Sequence, residues 1–416
     1  MKFADFGIAE EIIFNLDRLD WRRPTDIQYK AIPAILKGED VLAIAQTGTG
    51  KTAAFAIPIV HRLHTSKRSK RSDGIRCLVM VPTHELAVQV KEAFDEVGKN
   101  SRVSSYAVFG GVEQDPQIAK LQKGLDVLIA TPGRVFDLVS QGHLDLSPVE
   151  CLVLDEADHM LDLGFYGDIL DLLKHLPRKR QTLFFSATID QKIKKLAYSL
   201  VFNAIRIQIS PKNPVAKNID HAYARIEMDD KRFFLERIVK ENPESKILVF
   251  VRTKVRAERV LKAMARVGIE SQTLHGDKDQ KARFRALQAF REAANKVLIA
   301  TDVSARGIDI KGVEYVINYD LPEQAENYVH RVGRTGRGKE RGQALSFVSE
   351  HEQEMLAMIE DYLGKPIDQL AVDKDSYEDT LMLTADHQDD WQSLLKEAQQ
   401  LDEQPSRKKK KKKKRK

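Results

Sequence analysis

Two carboxylates follow directly on an apolar run near residue 155. The segment Cys151–Leu154 is short and wholly apolar, which favours a buried strand over a helix. Asp155 and Glu156 come immediately after it and are therefore predicted to lie at the carboxyl end of that strand. Beside a phosphate-binding loop, carboxylates placed there suit metal-assisted hydrolysis of a phosphoanhydride bond, as in a nucleoside triphosphate. In that chemistry Asp155 holds Mg²⁺ through water, and Glu156 orients and deprotonates the attacking water.

A glycine-rich turn supplies the other half of this chemistry. The apolar run Val41–Ala45 leads into the sequence QTGTGKT and then a helical pattern. Glycines let backbone N–H groups converge on phosphate oxygens, and the helix N-terminus adds positive charge. Lys51 is expected to reach the β- and γ-phosphates, and the Thr52 hydroxyl to bind Mg²⁺. The phosphate-loop consensus begins with glycine where this chain has Ala45; a chance turn is the alternative. The predicted nucleotide-binding residues of the loop are Thr47, Gly48, Thr49, Gly50, Lys51 and Thr52.

A third group of charged residues lies far downstream. The segment Tyr328–Arg337 carries arginines at three-residue spacing, with glycines at 333 and 336. Glycine is poor in a helix and permits close approach to a ligand, which argues against the alternative of a solvated basic helix face. We therefore predict that Arg334 and Arg337 are arginine fingers that act on a phosphate bound by the first half of the chain.

The pattern of short strands and longer helices must position these groups. Apolar, β-branched runs alternate with amphipathic stretches in both halves, which predicts βαβ units and mostly parallel sheets flanked by helices. Ligands bind at the carboxyl edge of such sheets, where Ser186–Thr188 also falls. The predicted strands are Val41–Ala45, Cys77–Val81, Ser104–Phe109, Val127–Ala130, Cys151–Asp155, Thr182–Ser186, Ala222–Ile226, Ile247–Val251, Ser271–Leu274, Val297–Ala300, Tyr315–Asn318 and Ala344–Val348.

A proline-rich break divides the chain into two α/β domains. Pro211 and Pro214 lie close together and disfavour both helix and strand. The predicted organisation is an N-terminal domain over 1–207, a linker over 208–218, a C-terminal domain over 219–366 and a tail over 367–416. The tail is acidic and then polybasic, and we expect it to be disordered.

Composition indicates a cytoplasmic globular protein. The chain has 416 residues, of which 42% are hydrophobic and 31% charged. No apolar run approaches the roughly 18–20 residues of a membrane span, and acids interrupt the N-terminal segment where a signal peptide is apolar. Cys77 and Cys151 each begin an apolar run, so we interpret them as buried core residues of a reducing compartment, not as a disulfide or metal site.

The charge is distributed unevenly. The net charge is +6, yet the last ten residues are all basic, so the remainder carries −4. A block of like charges repels itself and cannot be buried. Its functional interpretation is a tether for polyanions, most plainly nucleic acid; its alternative is a solubilising terminus.

Together these motifs resemble the DEAD-box family of ATP-dependent RNA helicases, in superfamily 2, over about residues 3–365. The sequence as a whole resembles the bacterial RhlE-like members of that family. The resemblance implies two tandem RecA-like domains that use ATP and Mg²⁺. It also implies a monomer that binds single-stranded RNA and short RNA duplexes with little sequence preference. One departure is notable. The segment Pro82–Ala87 resembles the family's PTRELA with His84 in place of arginine, which we expect to weaken or pH-tune RNA contact.

The resemblance assigns further residues by position. In the ATP site, Gln28 would bind the adenine edge, Phe3 would stack on the ring and Asp309 would take the ribose hydroxyl. The nucleotide-binding residues that it adds are Phe3, Thr25, Gln28, Gly307 and Asp309. The RNA-binding residues that it implies are Pro82, Thr83, Gly111, Thr131, Arg134, Arg252, Arg283 and Thr301. The residues that it implies for coupling between the domains are Asp158, Ser186, Thr188, Arg306, His330 and Arg331.

The predicted function is RNA-stimulated ATP hydrolysis coupled to local, non-processive unwinding of RNA duplexes or remodelling of RNA–protein complexes. An ATP-dependent RNA clamp with little unwinding is the alternative, since the same motifs serve both. A DNA translocase on the same fold is a third hypothesis, and the adenine motif with the sequence DEAD counts against it.

Overall fold

The computed structural model describes residues 2–46, 48–67, 74–209, 215–216, 218–302, 310, 312–336 and 340–382. Two seven-stranded sheets organise these residues, one in each half of the chain. Five predicted site residues lie outside the described residues, as do most of the predicted linker and residues 383–416. The five are Thr47, Arg306, Gly307, Asp309 and Arg337.

The first sheet has the strand order β3-β4-β2-β5-β6-β1-β7. All its neighbouring strands pair in parallel, which confirms the prediction. Most strands are short and buried along their whole length, as expected for a parallel sheet covered on both faces. Its strands are β1 Val41–Ala45, β2 Cys77–Met80, β3 Ser105–Val108, β4 Val127–Ala130, β5 Cys151–Leu154, β6 Gln181–Ser186 and β7 Ile205–Ile209.

Helices cover both faces of this sheet. Several begin at a side-chain cap: the Thr83 hydroxyl accepts from the Leu86 N–H, and Asp190 accepts from the Ile193 N–H. These caps fix where each helix leaves the carboxyl edge of the sheet. The helices are α1 Glu10–Arg18, α2 Asp26–Leu36, α3 Lys51–Ser66, α4 His84–Val97, α5 Asp115–Gln122, α6 Pro132–Ser140, α7 Ala157–Asp162, α8 Tyr166–Leu173 and α9 Gln191–Leu200.

The second sheet repeats this architecture in the order β10-β11-β9-β12-β13-β8-β14, again with parallel pairing. Its strands are β8 Ile219–Arg225, β9 Ile247–Phe250, β10 Gln272–Leu274, β11 Val297–Ala300, β12 Tyr315–Asn318, β13 Gly342–Val348 and β14 Asp368–Gln369. Its helices are α10 Lys231–Glu241, α11 Lys254–Arg266, α12 Gln280–Arg291, α13 Ala325–Val332, α14 Gln353–Leu363 and α15 Lys374–Met382.

Both domain ends differ from the predicted boundaries. Strand β7 continues to Ile209, two residues into the predicted linker. After residue 366 the chain adds β14 to the sheet and packs α15 on α10, where the rings of Tyr377 and Phe234 are 4.9 Å apart. The expectation of disorder from residue 367 onward is therefore wrong for 367–382. The short, polar strand and the acidic helix carry too little apolar periodicity to be recognised in the sequence.

The two cysteines are buried, free thiols that face each other across β2 and β5. This placement agrees with the core role predicted for them. Among the described residues, no helix is both long and apolar enough to span a bilayer.

Candidate nucleotide site and interdomain face

The phosphate loop joins β1 to α3 with two glycines in the left-handed region. Gly48 has φ of +82° and Gly50 has φ of +91°, which favours glycine at both positions. Lys51 is the first residue of α3 and only 6% exposed. Among the described residues, no hydrogen-bond partner reaches its Nζ atom. A buried ammonium without a partner is costly, so this geometry suits an anionic ligand at the helix N-terminus.

Helix α2 is fastened to the loop by its first turn. The Thr25 N–H donates to Gln28 Oε1 at 3.0 Å, and the Thr25 hydroxyl donates to the Thr49 carbonyl at 2.8 Å. Gln28 Nε2 donates to the Gly50 carbonyl at 3.1 Å. The residue predicted to read the adenine edge is therefore held against the loop predicted to hold the phosphates.

Phe3, predicted to stack on the adenine ring, is packed into the core of the first domain. Its side chain is 3% exposed. Its ring lies 6.5 Å from Phe6, whose ring in turn lies 6.4 Å from the half-exposed Tyr29. A ring this buried offers little surface to an adenine, so stacking by Phe3 is not supported. The apolar residues around the start of the chain bury the Phe3 ring, which opposes the stacking role that the family resemblance implies.

Asp155 and Glu156 lie at the carboxyl end of β5, as predicted, and both are buried. The Glu156 N–H donates to Asp155 Oδ1 at 3.0 Å. Glu156 adopts φ of +53°, an unfavourable conformation for a residue with a side chain. Strain of this kind persists where the surrounding structure fixes it, commonly at functional sites.

The two carboxyl groups have divergent acidities. Burial raises the pKa of Asp155 to about 7, with Lys51 opposing and Glu156 reinforcing the shift. Burial would also raise the pKa of Glu156, but His159, Lys51 and Arg334 together lower it to about 2. Glu156 is therefore ionised at neutral pH, as a proton acceptor must be. His159 Nδ1 lies 3.5 Å from Glu156 Oε2, a contact that the sequence reasoning missed although the histidine directly follows the sequence DEAD.

Arg334 brings the second domain to this site. It is 2% exposed, follows α13, and its Nε donates to the His330 carbonyl at 3.1 Å. Its positive charge contributes to the lowered pKa of Glu156, so the guanidinium lies close enough to that carboxylate of the first domain to act on it electrostatically. The predicted meeting of the two halves is present in this arrangement.

Residues expected to couple the domains divide into two groups. Asp158 accepts from the Ala187 N–H at 3.3 Å and the Thr188 hydroxyl at 3.5 Å, which links the DEAD segment to the end of β6 beside the buried Ser186. Arg331 instead donates to Asp302 Oδ2 and to the Asp320 carbonyl, each at 2.7 Å. Since these partners belong to the second domain, Arg331 anchors α13 there, and a direct coupling role is not supported.

The predicted RNA-facing positions cluster at helix starts. Thr83 caps α4 behind the buried Pro82, and the buried Thr131 precedes α6. Gly111 is exposed, with φ of +71°. Thr301 is buried at the carboxyl end of β11.

The three arginines predicted to bind RNA turn toward protein groups. Arg134 donates to the Val112 carbonyl at 3.2 Å. Arg252 Nη2 lies 3.0 Å from Glu352 Oε1. Arg283 Nη2 lies 2.9 Å from Glu85 Oε1. Glu352 and Glu85 are buried carboxylates that require a cation. That requirement, invisible in the sequence, opposes an outward orientation of Arg252 and Arg283.

Comparison with known proteins agrees with this geometry. Residues 25–196 match the DEAD/DEAH box helicase family and residues 230–339 match the helicase conserved C-terminal domain. The ATP-dependent RNA helicase CshA of Listeria monocytogenes is 39% identical over 364 residues, covering 88% of this chain and 69% of CshA.

Solved structures of Dbp5 from S. cerevisiae resemble this chain to different degrees, depending on what Dbp5 is bound to. Dbp5 bound to RNA and ADP BeF3 superposes with a TM-score of 0.81 at 30% identity, covering 96% of this chain and 99% of Dbp5. A variant of Dbp5 bound to Nup159, a Gle1 variant, IP6 and ADP superposes with a TM-score of only 0.63 at 28% identity. That match covers 95% of this chain and 100% of the Dbp5 variant. The domains of this chain are thus arranged as in the RNA-bound relative. The family matches and the identity to CshA lead to one conclusion: the chain belongs to the DEAD-box family of ATP-dependent RNA helicases.

Proposed function

We propose that this chain hydrolyses ATP when its two domains close around ATP and single-stranded RNA, and that closure locally separates short RNA duplexes without processive movement. The observation that carries the proposal is the direct contact of the two domains, in which Arg283 of the second pairs with the buried Glu85 of the first at 2.9 Å. In the same arrangement the charge of Arg334 helps to lower the pKa of Glu156. A site assembled from both domains makes hydrolysis depend on closure. The free thiols Cys77 and Cys151 fit action in the cytoplasm, where we propose that the protein works as a monomer.

The first domain binds and orients the nucleotide. Gln28 reads the adenine edge, while Lys51 and the loop N–H groups hold the phosphates. Residues Thr52 and Asp155 would hold Mg²⁺. A buried carboxylate with a raised pKa beside a phosphate loop gains from a cation, so this donor set fits the ion. When bound, Mg²⁺ supplies charge neutralisation at the phosphate oxygens.

Glu156 acts on the attacking water. Its ionised carboxylate accepts the proton of the water, and the neighbouring His159 stabilises that charge. Arg334 supplies positive charge where negative charge grows on the transferred phosphoryl group. When the phosphate leaves, the attraction that held Arg334 is lost and the domains reopen.

RNA binding is proposed to use backbone groups more than base edges. Helices α4, α6 and α12 start at the carboxyl edges of the sheets, and helix N-termini present N–H groups to phosphates. Contacts of that kind carry little sequence information. The similarity to a structure of Dbp5 bound to RNA supports RNA binding by this chain.

The test is substitution of Arg334. Arg334→Gln should retain ATP and RNA binding but lose about 10³-fold or more of RNA-stimulated hydrolysis. Arg341→Gln, at an exposed arginine of the same domain, is the matched control and should retain activity. Strand separation by the wild-type protein, measured with ATP and with a non-hydrolysable analogue, distinguishes the two candidate activities. Stimulated hydrolysis without strand separation would favour the clamp, and normal turnover by Arg334→Gln would overturn the composite site.

A further inference from the structure

A cluster of side chains joins the two domains at the start of α4, where helix α12 of the second domain meets the first. At the start of α4, His84 Nδ1 lies 2.8 Å from Oε1 of Gln280, the first residue of α12. The His84 ring stacks on Phe109, with ring centroids 5.2 Å apart and planes at 24°. Phe109 in turn lies 6.1 Å from Phe284 of α12. This latch, defined as His84, Phe109, Gln280 and Phe284, is a direct contact between the domains.

A buried carboxylate fixes the chemistry of the latch. Gln280 Nε2 donates to Glu85 Oε1 at 3.3 Å, and Arg283 also donates to that oxygen. An ionised carboxylate only accepts hydrogen bonds, so the amide NH₂ of Gln280 faces Glu85 and its carbonyl faces His84. His84 must therefore donate through Nδ1–H. The neutral imidazole carries this hydrogen in one tautomer and the imidazolium carries it always, so the contact forms in both protonation states. Burial, not the loss of this hydrogen bond, chiefly disfavours the charged one.

Gly111 lies within van der Waals reach of the latch. A Cβ atom on Gly111 would lie 3.7 Å from Gln280 Cβ and 3.7 Å from His84 Cε1. Gln280 is 8% exposed. The contact therefore forms a closely packed seam in which the imidazole is largely removed from water when the domains meet.

Four groups act on the imidazole from the surrounding helices. Burial is the largest influence and lowers the pKa of His84 below its ordinary 6.5. The hydrogen bond to Gln280 and the charge of Glu85, next to His84 on α4, oppose this shift. The cations Arg283 on α12 and Arg134 on α6 reinforce it. The net preference in the closed arrangement is a neutral ring.

We propose that His84 is a positioning residue for ATP hydrolysis: its imidazole donates through Nδ1–H to Gln280 and so holds the second domain, with Arg334, against the nucleotide site. This inference rests on the proposed closure of the two domains. It assigns to His84 a contact between the domains, where the family resemblance implied support of RNA.

The latch links closure to proton release. In the open arrangement His84 faces water and titrates near its ordinary pKa of about 6.5. Above that pH the ring is neutral in both arrangements and closure is unhindered. Below it the open arrangement holds a proton that the closed one must lose. Closure therefore weakens as pH falls through the open-state pKa, by up to about tenfold per pH unit.

The experiment measures the RNA concentration that half-saturates ATP hydrolysis, at pH values from about 5.5 to 8. The variants are His84→Asn, which keeps an N–H donor without titrating, and His84→Ala, Gln280→Ala and their double variant. Below pH 6.5 the half-saturating concentration should rise several-fold more for the wild type than for His84→Asn. His61→Asn is the matched control, a partly buried histidine of α3 whose pKa burial also lowers. This control should follow the wild type.

A double-mutant cycle gives the second readout. At pH 7.5 the two alanine substitutions should each raise the half-saturating concentration, and together by less than the product of their separate effects. Independent effects, with a wild-type pH profile that matches His84→Asn, would overturn the latch. Failure of the wild type to show any RNA-stimulated hydrolysis would instead overturn the proposed function, so the two failures are distinguishable. Thermal melting at each pH verifies that the variants remain folded.

Discussion

Glu156 occupies a left-handed backbone conformation at the end of β5, buried beside Asp155. Its carboxylate is kept ionised by His159, Lys51 and Arg334, against the effect of burial. The cations make this carboxylate a proton acceptor at neutral pH. Chemistry at this residue thus depends on groups contributed by three separate stretches of the chain.

Glu156→Gln removes the proton acceptor and preserves the size of the side chain. Hydrolysis should fall about 10²–10⁴-fold, because general-base catalysis contributes on that order. Binding of ATP and RNA, measured by fluorescence titration, should be retained. Glu150→Gln, at a glutamate paired with Arg76 near the start of β5, is the control and should hydrolyse normally. Full turnover by Glu156→Gln would remove it from the mechanism.

Gly50→Ala perturbs adenine reading through the loop backbone. The new Cβ would lie 2.5 Å from Gln28 Nε2, at a φ where side chains are already strained. Displacing Gln28 should weaken ATP binding at least tenfold and reduce the preference for ATP over GTP, as measured by competition. Gly142→Ala, at φ of +72° with no atom within 4 Å, introduces strain alone. This control should lose some stability and keep nucleotide preference. Equal nucleotide preference in both variants would contradict the predicted role of Gln28.

At the scale of elements, a buried ion pair fastens α10 to the segment before α14. Lys231 Nζ pairs with Glu352 and donates to the Tyr319 carbonyl at 2.8 Å. Burial lowers the pKa of Lys231, and Glu352 opposes the shift. Glu352 also accepts from the Leu321 N–H at 3.0 Å and binds Arg252. The carboxylate therefore organises the carboxyl edge of the second sheet, where Arg252 was expected to face RNA.

Lys231→Met should lower the free energy of unfolding of the second domain by about 3–5 kcal/mol, because it leaves a buried carboxylate short of a cation. Urea unfolding, monitored by probes in that domain, measures the change. Lys254→Met, on α11 of the same domain, breaks an exposed pair with Asp277. This control should cost less than about 1 kcal/mol. Similar losses in the two variants would show that burial does not set the strength of the first pair.

At the scale of the whole molecule, closure brings together two half-sites, one from each domain. Neither domain contains a complete site alone. Arg334 reaches the first domain beside the nucleotide, while Gln280 and Arg283 reach it at His84 and Glu85. Contacts on both faces of the cleft make ATP and RNA binding mutually favourable, because each ligand stabilises the same arrangement.

Deletion of residues 407–416 tests the basic block on this scale. If the block binds RNA phosphates, its removal should reduce the slope of log affinity against log salt concentration. The reduction is up to about 7, because each of the ten charges contributes about 0.7 to the slope. RNA-free ATP hydrolysis should stay unchanged. Replacement of the block by ten Gly and Ser residues is the control: it keeps the chain length and removes the charge, so it separates the two effects on RNA affinity. An unchanged salt slope would reject the tether in favour of a solubilising terminus.

The sequence by itself determined the two parallel sheets and the chemistry at their edges. Strand periodicity is a local property, and QTGTGKT and DEAD each lie within one short segment at a strand end. Tertiary structure decided which charged side chains face outward. Arg252 and Arg283 turn toward buried carboxylates that are distant in sequence and need a cation, and Arg331 pairs with Asp302 of its own domain. Phe3 is buried because the core of the first domain surrounds it. His84 meets Gln280 across 196 positions of sequence, a pairing that only the folded chain creates.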